Sequence, residues 1–440
     1  MRFLFVFLIF NFFYSCSFDN RSGIWKNIND DNKKRETFED FKLLSSENKS
    51  VQKNIFINKN FKFKSSPKTS VNEWHDKYYS KSNNFENFRY LNKKQLLLKS
   101  NKITKHPVND YILYDNENII SSDNKGNIIV YSLYKKEILT KYNFYKKQYK
   151  KIDKYLNLIT ERNIIYISDN IGFLYAFDYK NNKILWAKNY KVPFSSNLKI
   201  FQNRLIAANT NNDLLFFDKQ NGQILGTIPT ESTTIKNNFL NNLSLSNKTT
   251  FYLNTYGSLY AIDNNSMRIK WFLNLNRSTD LNFRNLFLGS QVINDEKNII
   301  VSGNNYTYII NANSGEIIFK KNFSSFIKPL VSQNYLFLIS KENFLISVNL
   351  NDGNIIYSYD LNEMISKYFK IKKKGAEFKD IFYLNDDLFL LLENSFTLKV
   401  NLRGEIKTIG KLPDLIGAGP IFVKDNLLFI SKKNKIYAIN

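Results

Sequence analysis

From about residue 107 the chain alternates short apolar runs with polar clusters rich in Asn, Asp, Gly and Lys. In the first stretch, Asn118-Ile119-Ile120-Ser121 gives way to Asp123-Asn124-Lys125-Gly126. Ile128-Ile129-Val130-Tyr131 and then Glu137-Ile138-Leu139 follow. Apolar runs of strand length, broken by Asx and Gly turns, read as consecutive hairpins. Asn221-Gly222, Ser314-Gly315 and Asp352-Gly353 supply residues that accept the positive φ of tight turns. No stretch shows a 3.6-residue apolar period framed by caps, so the pattern predicts an all-β protein.

The pattern also repeats. Gly172-Phe-Leu-Tyr-Ala-Phe-Asp178 and Gly257-Ser-Leu-Tyr-Ala-Ile-Asp263 are its clearest copies, each followed by a polar turn and an apolar run holding Trp186 or Trp271. Sliding this frame along the chain places Ser132, Asp178, Asp218, Asp263, Asn311, Asn349, Asn401 and Asn440 at the Asp position, at intervals of 46, 40, 45, 48, 38, 52 and 39 residues. Four strands at each such interval is the spacing of propeller blades, whereas solenoid repeats are shorter or helical. The expectation is an eight-bladed β-propeller of four-stranded antiparallel blades over residues 71–440. The last copy, Lys435 to Asn440, stops where a fourth strand is due, and a spare apolar run, Gln95-Leu96-Leu97-Leu98-Lys99, precedes the first full repeat. That run is expected to complete the eighth blade and so remove an open sheet edge.

The N-terminus has a different character. Arg2, the apolar run Phe3 to Phe10 and the small Ser15 describe a secretory signal peptide over residues 1–15. Cys16, the sole cysteine, follows directly. The arrangement resembles a bacterial lipoprotein signal, in which that cysteine is acylated and becomes the mature N-terminus. A plain signal peptide with an incidental cysteine is the alternative. Two or three acyl chains would anchor firmly where one would not. Ser17, by the enteric sorting rule, points to the outer membrane. Residues 16–70, polar and without periodicity, read as a flexible tether.

With 43% hydrophobic and 16% aromatic residues the chain can bury a large core. Its formal charge of +24 suits contact with anionic surfaces, though an AT-rich genome would also write so many Lys, Asn and Ile codons. The densest basic run, Lys367, Lys370 and Lys372-Lys373-Lys374, is either a solvated loop or a patch for anionic lipid. One Cys excludes a disulfide framework and multi-thiolate metal sites, and two His leave no histidine cluster. His75 and His106 read as structural, and no Gly-x-Ser-x-Gly elbow occurs.

The frame Gly-x-Leu-Tyr-Ala-x-Asp, with its trailing Trp, resembles the repeat of the quinoprotein (PQQ-like) β-propellers. With a lipoprotein signal, a tether and eight repeats, the whole resembles the BamB-type lipoprotein family of the outer-membrane β-barrel assembly machinery. Trp74-His75 with Ser82-Asn83-Asn84, and Gly375-Ala-Glu-Phe with Leu390-Leu391-Leu392, resemble its alphaproteobacterial form. The resemblance implies a non-catalytic scaffold on the periplasmic face of the outer membrane. It would be lipid-anchored through Cys16, dock on the periplasmic domains of the barrel-inserting protein and assist unfolded outer-membrane proteins, with no nucleic acid partner. The competing reading is a PQQ-dependent dehydrogenase. Those enzymes need a metal site of Glu, Asn and Asp, an Asp base and commonly adjacent cysteines, so the expectation here is no cofactor, no metal and no catalytic residue. The Asp and Asn anchors are expected to cap turns. In the BamB-type family partner contact involves an apolar loop into the third blade, which matches Val192, Pro193 and Phe194. The alternative is that Val192 and Phe194 begin a core strand.

Overall fold

The computed structural model describes residues 53–440 except 232–239, 277–285, 371, 373 and 374. The signal peptide, Cys16 and the tether up to residue 52 lie outside the described residues.

Eight antiparallel four-stranded units follow one another along the chain. Blade 1 spans Leu113–Asn143, blade 2 Leu156–Asn189, blade 3 Lys199–Ile228 and blade 4 Asn242–Asn274. Blade 5 spans Ile293–Lys321, blade 6 Leu330–Asp360 and blade 7 Phe378–Lys411. Blade 8 combines Ile416–Val423, Asn426–Ser431 and Lys435–Ile439 with the early strand Leu96–Lys102. The protein is an eight-bladed β-propeller. Its closure is the expected one: Leu96 pairs with Ile439 and Leu98 with Ala438, so both ends of the blade region share a sheet.

Burial explains the composition of the strands. The first three strands of a blade are covered on both faces by neighbouring blades and read as continuous apolar runs, such as Leu214–Asp218. The fourth lies at the rim and alternates, as Lys183–Asn189 does. Phe251, Leu259, Ile299 and Ile310 belong to one core cluster joining blades 4 and 5.

The anchors all sit at the end of the third strand or directly after it. The Asp178 carboxylate accepts from the backbone N–H of Lys180 and Asn181, Asp263 from Asn265 and Ser266, and Asn311 from Asn313 and Ser314. These are Asx turns, which satisfy backbone donors at the hairpin tip. Just before the anchor, in seven blades, the pairing of third and fourth strands slips by one residue, for example between Ala176 and Phe177. Such a bulge twists the outer strand. The Trp186 indole then lies on Gly222 of blade 3 and donates to the Lys219 carbonyl at 3.0 Å. Trp271 does the same to Gly315 and the Ala312 carbonyl of blade 5.

Two expectations change. A helix, Leu361–Phe369, interrupts the all-β pattern after blade 6, capped by the Asp360 carboxylate accepting from Glu363 N–H. Asp360-Leu-Asn-Glu363 is a capping-box spacing whose short helix is hidden inside the longest repeat interval. The helix also takes Lys367 out of the expected basic loop. The tether was expected to run to residue 70, but from Ile55 the chain lies on the propeller. Ile55 bridges Ser358 of blade 6, and the Phe63 ring meets Tyr335 at 4.8 Å. Phe61 and Phe63 supply enough apolar surface to offset the entropy of ordering this stretch.

Candidate functional site

Residues 71–91 precede the first blade in sequence and visit every blade in space. Trp74 exchanges backbone hydrogen bonds with Tyr114 of blade 1, and the His75 carbonyl accepts from Thr160 of blade 2. The Asp76 carboxylate takes the Lys199 ammonium of blade 3 at 2.7 Å. Carbonyls of Lys81 and Ser82 accept from Leu245 of blade 4 and Asn294 of blade 5. The Asn83 side chain donates to the Leu243 and Val292 carbonyls of the same two blades, and Asn84 donates to Val331 of blade 6. Asn87–Phe88 pairs in parallel with Tyr383 and Leu384 of blade 7, and Leu91 N–H reaches Asp425 of blade 8. The segment therefore circles among the innermost strands, satisfying backbone groups that the ring itself leaves unpaired.

On one side of this segment opens a cavity of about 470 Å³, lined by residues from it and from the loops that lead into the inner strands. Trp74, Tyr78 and Phe85 come from the threading segment, and Tyr111, Phe287 and Phe326 from the loops. Five charged groups line it, Lys379 among them. Lys77 pairs with Asp110 at 3.1 Å, and the Tyr155 hydroxyl donates to the same carboxylate. Lys328 stands over the Phe85 ring, with its ammonium 3.4 Å from the ring centroid. Burial lowers the Lys328 pKa to about 8, partly opposed by the Asp380 charge. Asp380, pushed up to about 6 by burial, accepts from the Ile381 N–H.

A second cluster joins the threading segment to blade 1. His75 Nε2 lies 3.0 Å from Asp115 and 3.7 Å from Glu73. The other Asp115 oxygen accepts from the Tyr179 hydroxyl at 2.6 Å. Burial works against a charged imidazole, but the hydrogen bond and charge of Asp115 outweigh it and raise the His75 pKa. His75 thus ties the threading segment to blade 1. The His106 carbonyl accepts from Asn434 of blade 8.

The expected contact loop is only partly available. Phe194 is 3% exposed, with its ring between Tyr190 and Phe217 and its N–H donated to Asp169. Phe194 thus takes the alternative, a core position, and not that of an exposed contact. It follows a proline at the point where the chain turns inward between blades 2 and 3, and the apolar gap there takes the ring. Val192 and Pro193 remain half-buried. Apolar side chains that do face solvent on later inter-blade loops include Leu240, Leu288 and Phe326, at 46%, 40% and 58% exposure. Sequence reasoning missed them because no repeat position marks them, and the loops differ in length.

A match to the family described as Outer membrane protein assembly factor BamB covers residues 156–359. None of the curated proteins matches the sequence. Among solved structures, BamB from Moraxella catarrhalis aligns with a TM-score of 0.61 at 11% identity, covering 79% of this chain and 99% of that one. A europium-containing methanol dehydrogenase aligns at 0.59 and 10% identity, covering 83% and 89%. The quinohemoprotein alcohol dehydrogenase of Comamonas testosteroni aligns at 0.59 and 10%, covering 83% and 80%. At such identities the structural likenesses establish the fold, which both kinds of protein share.

The dehydrogenases of like fold raise the question of a quinone cofactor and its metal, and the residues here do not fit them. Among the described residues lining the axial cavity the only carboxylates are Asp110 and Asp380, and each shares its surroundings with a lysine. A divalent cation would meet Lys77 and Lys328 there. Glu73, His75 and Asp115 could offer three ligand atoms to an ion, but none of them lines that cavity.

Proposed function

We propose, from the premise that this chain is a BamB-like β-propeller of PQQ-type repeats, that it is a non-catalytic scaffold of the outer-membrane protein assembly machinery. The observation that carries the reading is the match to the BamB family across blades 2 to 6. The unsuitability of the axial carboxylates for a metal-bound quinone supports it against the dehydrogenase alternative. In this reading Cys16 is lipidated, residues 1–15 are removed, and the propeller stands on the periplasmic face of the outer membrane. It docks on the periplasmic domains of the barrel-inserting protein and assists the insertion of β-barrel clients.

The docking face we assign is that of the inter-blade loops, where Val192 and Pro193 share a side of the ring with Leu240, Leu288 and Phe326. Apolar residues at loop tips, held by a rigid ring, lose little entropy on docking. The test is affinity capture of the full chain from native membranes, followed by mass spectrometry and an absorption spectrum. Recovery of the barrel-inserting protein, lost on Leu240→Asp with Phe326→Asp, supports the scaffold. A bound quinone chromophore with dye-linked alcohol oxidation would replace it with the enzyme reading.

A further inference from the structure

We infer that the axial cavity is a binding site for a carboxylate carried on an apolar group, held by the Lys328 ammonium. Lys328 is 6% exposed, and its ammonium has no hydrogen-bond partner in the protein, only the face of Phe85. The contrast with Lys199 is direct. That lysine is equally enclosed, yet it holds the Asp76 carboxylate at 2.7 Å and the Ser80 carbonyl at 3.1 Å. Leaving a buried polar group unpaired is destabilising, and leaving a charge so is more costly still. A propeller built only for rigidity gains nothing from such a lysine.

Lys328 is not alone. Trp74, Asn242, Ser290 and Gln291 line the same cavity, and Trp74 Nε1, Asn242 Oδ1, Ser290 Oγ and Gln291 Oε1 are buried without hydrogen-bond partners. They come from the threading segment, blade 4 and the loop into blade 5, so with Lys328 the lining residues carry two N–H donors, a hydroxyl and two amide oxygens. The indole N–H, the hydroxyl and the ammonium are the donors that two carboxylate oxygens require. The amide oxygens would accept an N–H from a group beside the carboxylate. Lys77, Lys328 and Lys379 against Asp110 and Asp380 leave one net positive charge among the lining groups, which favours a monoanion over a phosphate dianion. Aromatic walls and the exposed Leu240, Leu288 and Phe326 at the surrounding loops suit an apolar body behind the charge.

The same chemistry occurs in a small aryl or alkyl acid and at the free C-terminus of an apolar peptide, and the site does not depend on the scaffold reading. Calorimetric titration of the full chain with 3-phenylpropionate, with a blocked apolar tripeptide ending in a free carboxylate, and with the amide of each separates them. Saturable one-to-one binding of a carboxylate is expected, weakened about tenfold or more in its amide and in Lys328→Met. The thermal midpoint of Lys328→Met should not fall, since it removes an unpaired buried charge. Should that variant misfold, Lys328→Gln serves. Tighter binding of the peptide identifies a chain end as the natural source, and the reverse a small acid. Absence of saturation by either carboxylate, equal binding of amides, or undiminished affinity in a folded Lys328 variant overturns the site.

Discussion

Gly222 and Gly315 carry more of the ring's stability than their size suggests. Both have positive φ, +71° and +75°, and a Cβ at either would sit 2.6 Å from an indole atom of the preceding blade's outer strand. Gly315→Ala should therefore lower stability by about 1–3 kcal/mol, through strain and displaced packing, read from denaturant midpoints. Phe194→Ala should cost about 3–5 kcal/mol because it empties a filled core position. Partner capture by the folded fraction should stay normal, which separates a core role from a contact role. Asp380 gives a pH dependence of definite sign. Its pKa is raised from 3.8 to about 6, so between these values the native chain holds a proton that the unfolded chain has released. Its contribution is present at low pH and is lost as pH rises through about 6. Asp380→Asn should abolish that part of the slope, gaining on the native protein by roughly 1–3 kcal/mol from pH 4 to 6 in chemical denaturation.

At the level of elements, the threading segment behaves as a ninth component of an eight-part ring. Its backbone and short polar side chains bond the inner strands, and Trp74, Phe85 and Phe88 pack into the core beside them. Asn83, fully buried, links blades 4 and 5 through carbonyls 2.7 and 2.8 Å away. Asn83→Ala should lower the unfolding free energy by about 2–4 kcal/mol, since two buried carbonyls lose a donor. Hydrogen exchange should quicken in blades 4 and 5 before the rest. Uniform exchange across all blades would instead mean that the segment acts on the ring as a whole.

For the whole molecule, closure is the cooperative step. Leu96–Lys102 forms the outer edge of blade 8 and ties the two ends of the blade region into one sheet. Leu98→Pro removes a ladder donor and kinks that strand. It should expose the Lys435–Ile439 edge, visible as faster amide exchange at Tyr437 and Ala438 and as concentration-dependent association on size exclusion. A monomeric variant with unchanged exchange would show that contacts of the threading segment alone suffice for closure.

Local and periodic features were legible in the chain itself. Strand runs, Asx turns and the anchor residues recur every blade because each blade solves the same packing problem, so blade number and closing strand followed from counting. The capping box at Asp360 was also present, but nine residues of helix carry too little periodicity to stand out among strands. What the tertiary structure decided is non-repetitive and long-range. Residues 71–91 carry no copy of the repeat, and only their neighbours on eight blades make them the centre of the ring. Phe194 and Phe326 are the same residue type in comparable loops, yet one fills a gap between Tyr190 and Phe217 and the other faces solvent. Nor does any spacing connect Trp74, Asn242, Ser290, Gln291 and Lys328, which the ring brings to one cavity from four separate stretches of chain. Burial and partnership are properties of position in space, and a sequence period reports only the positions that repeat.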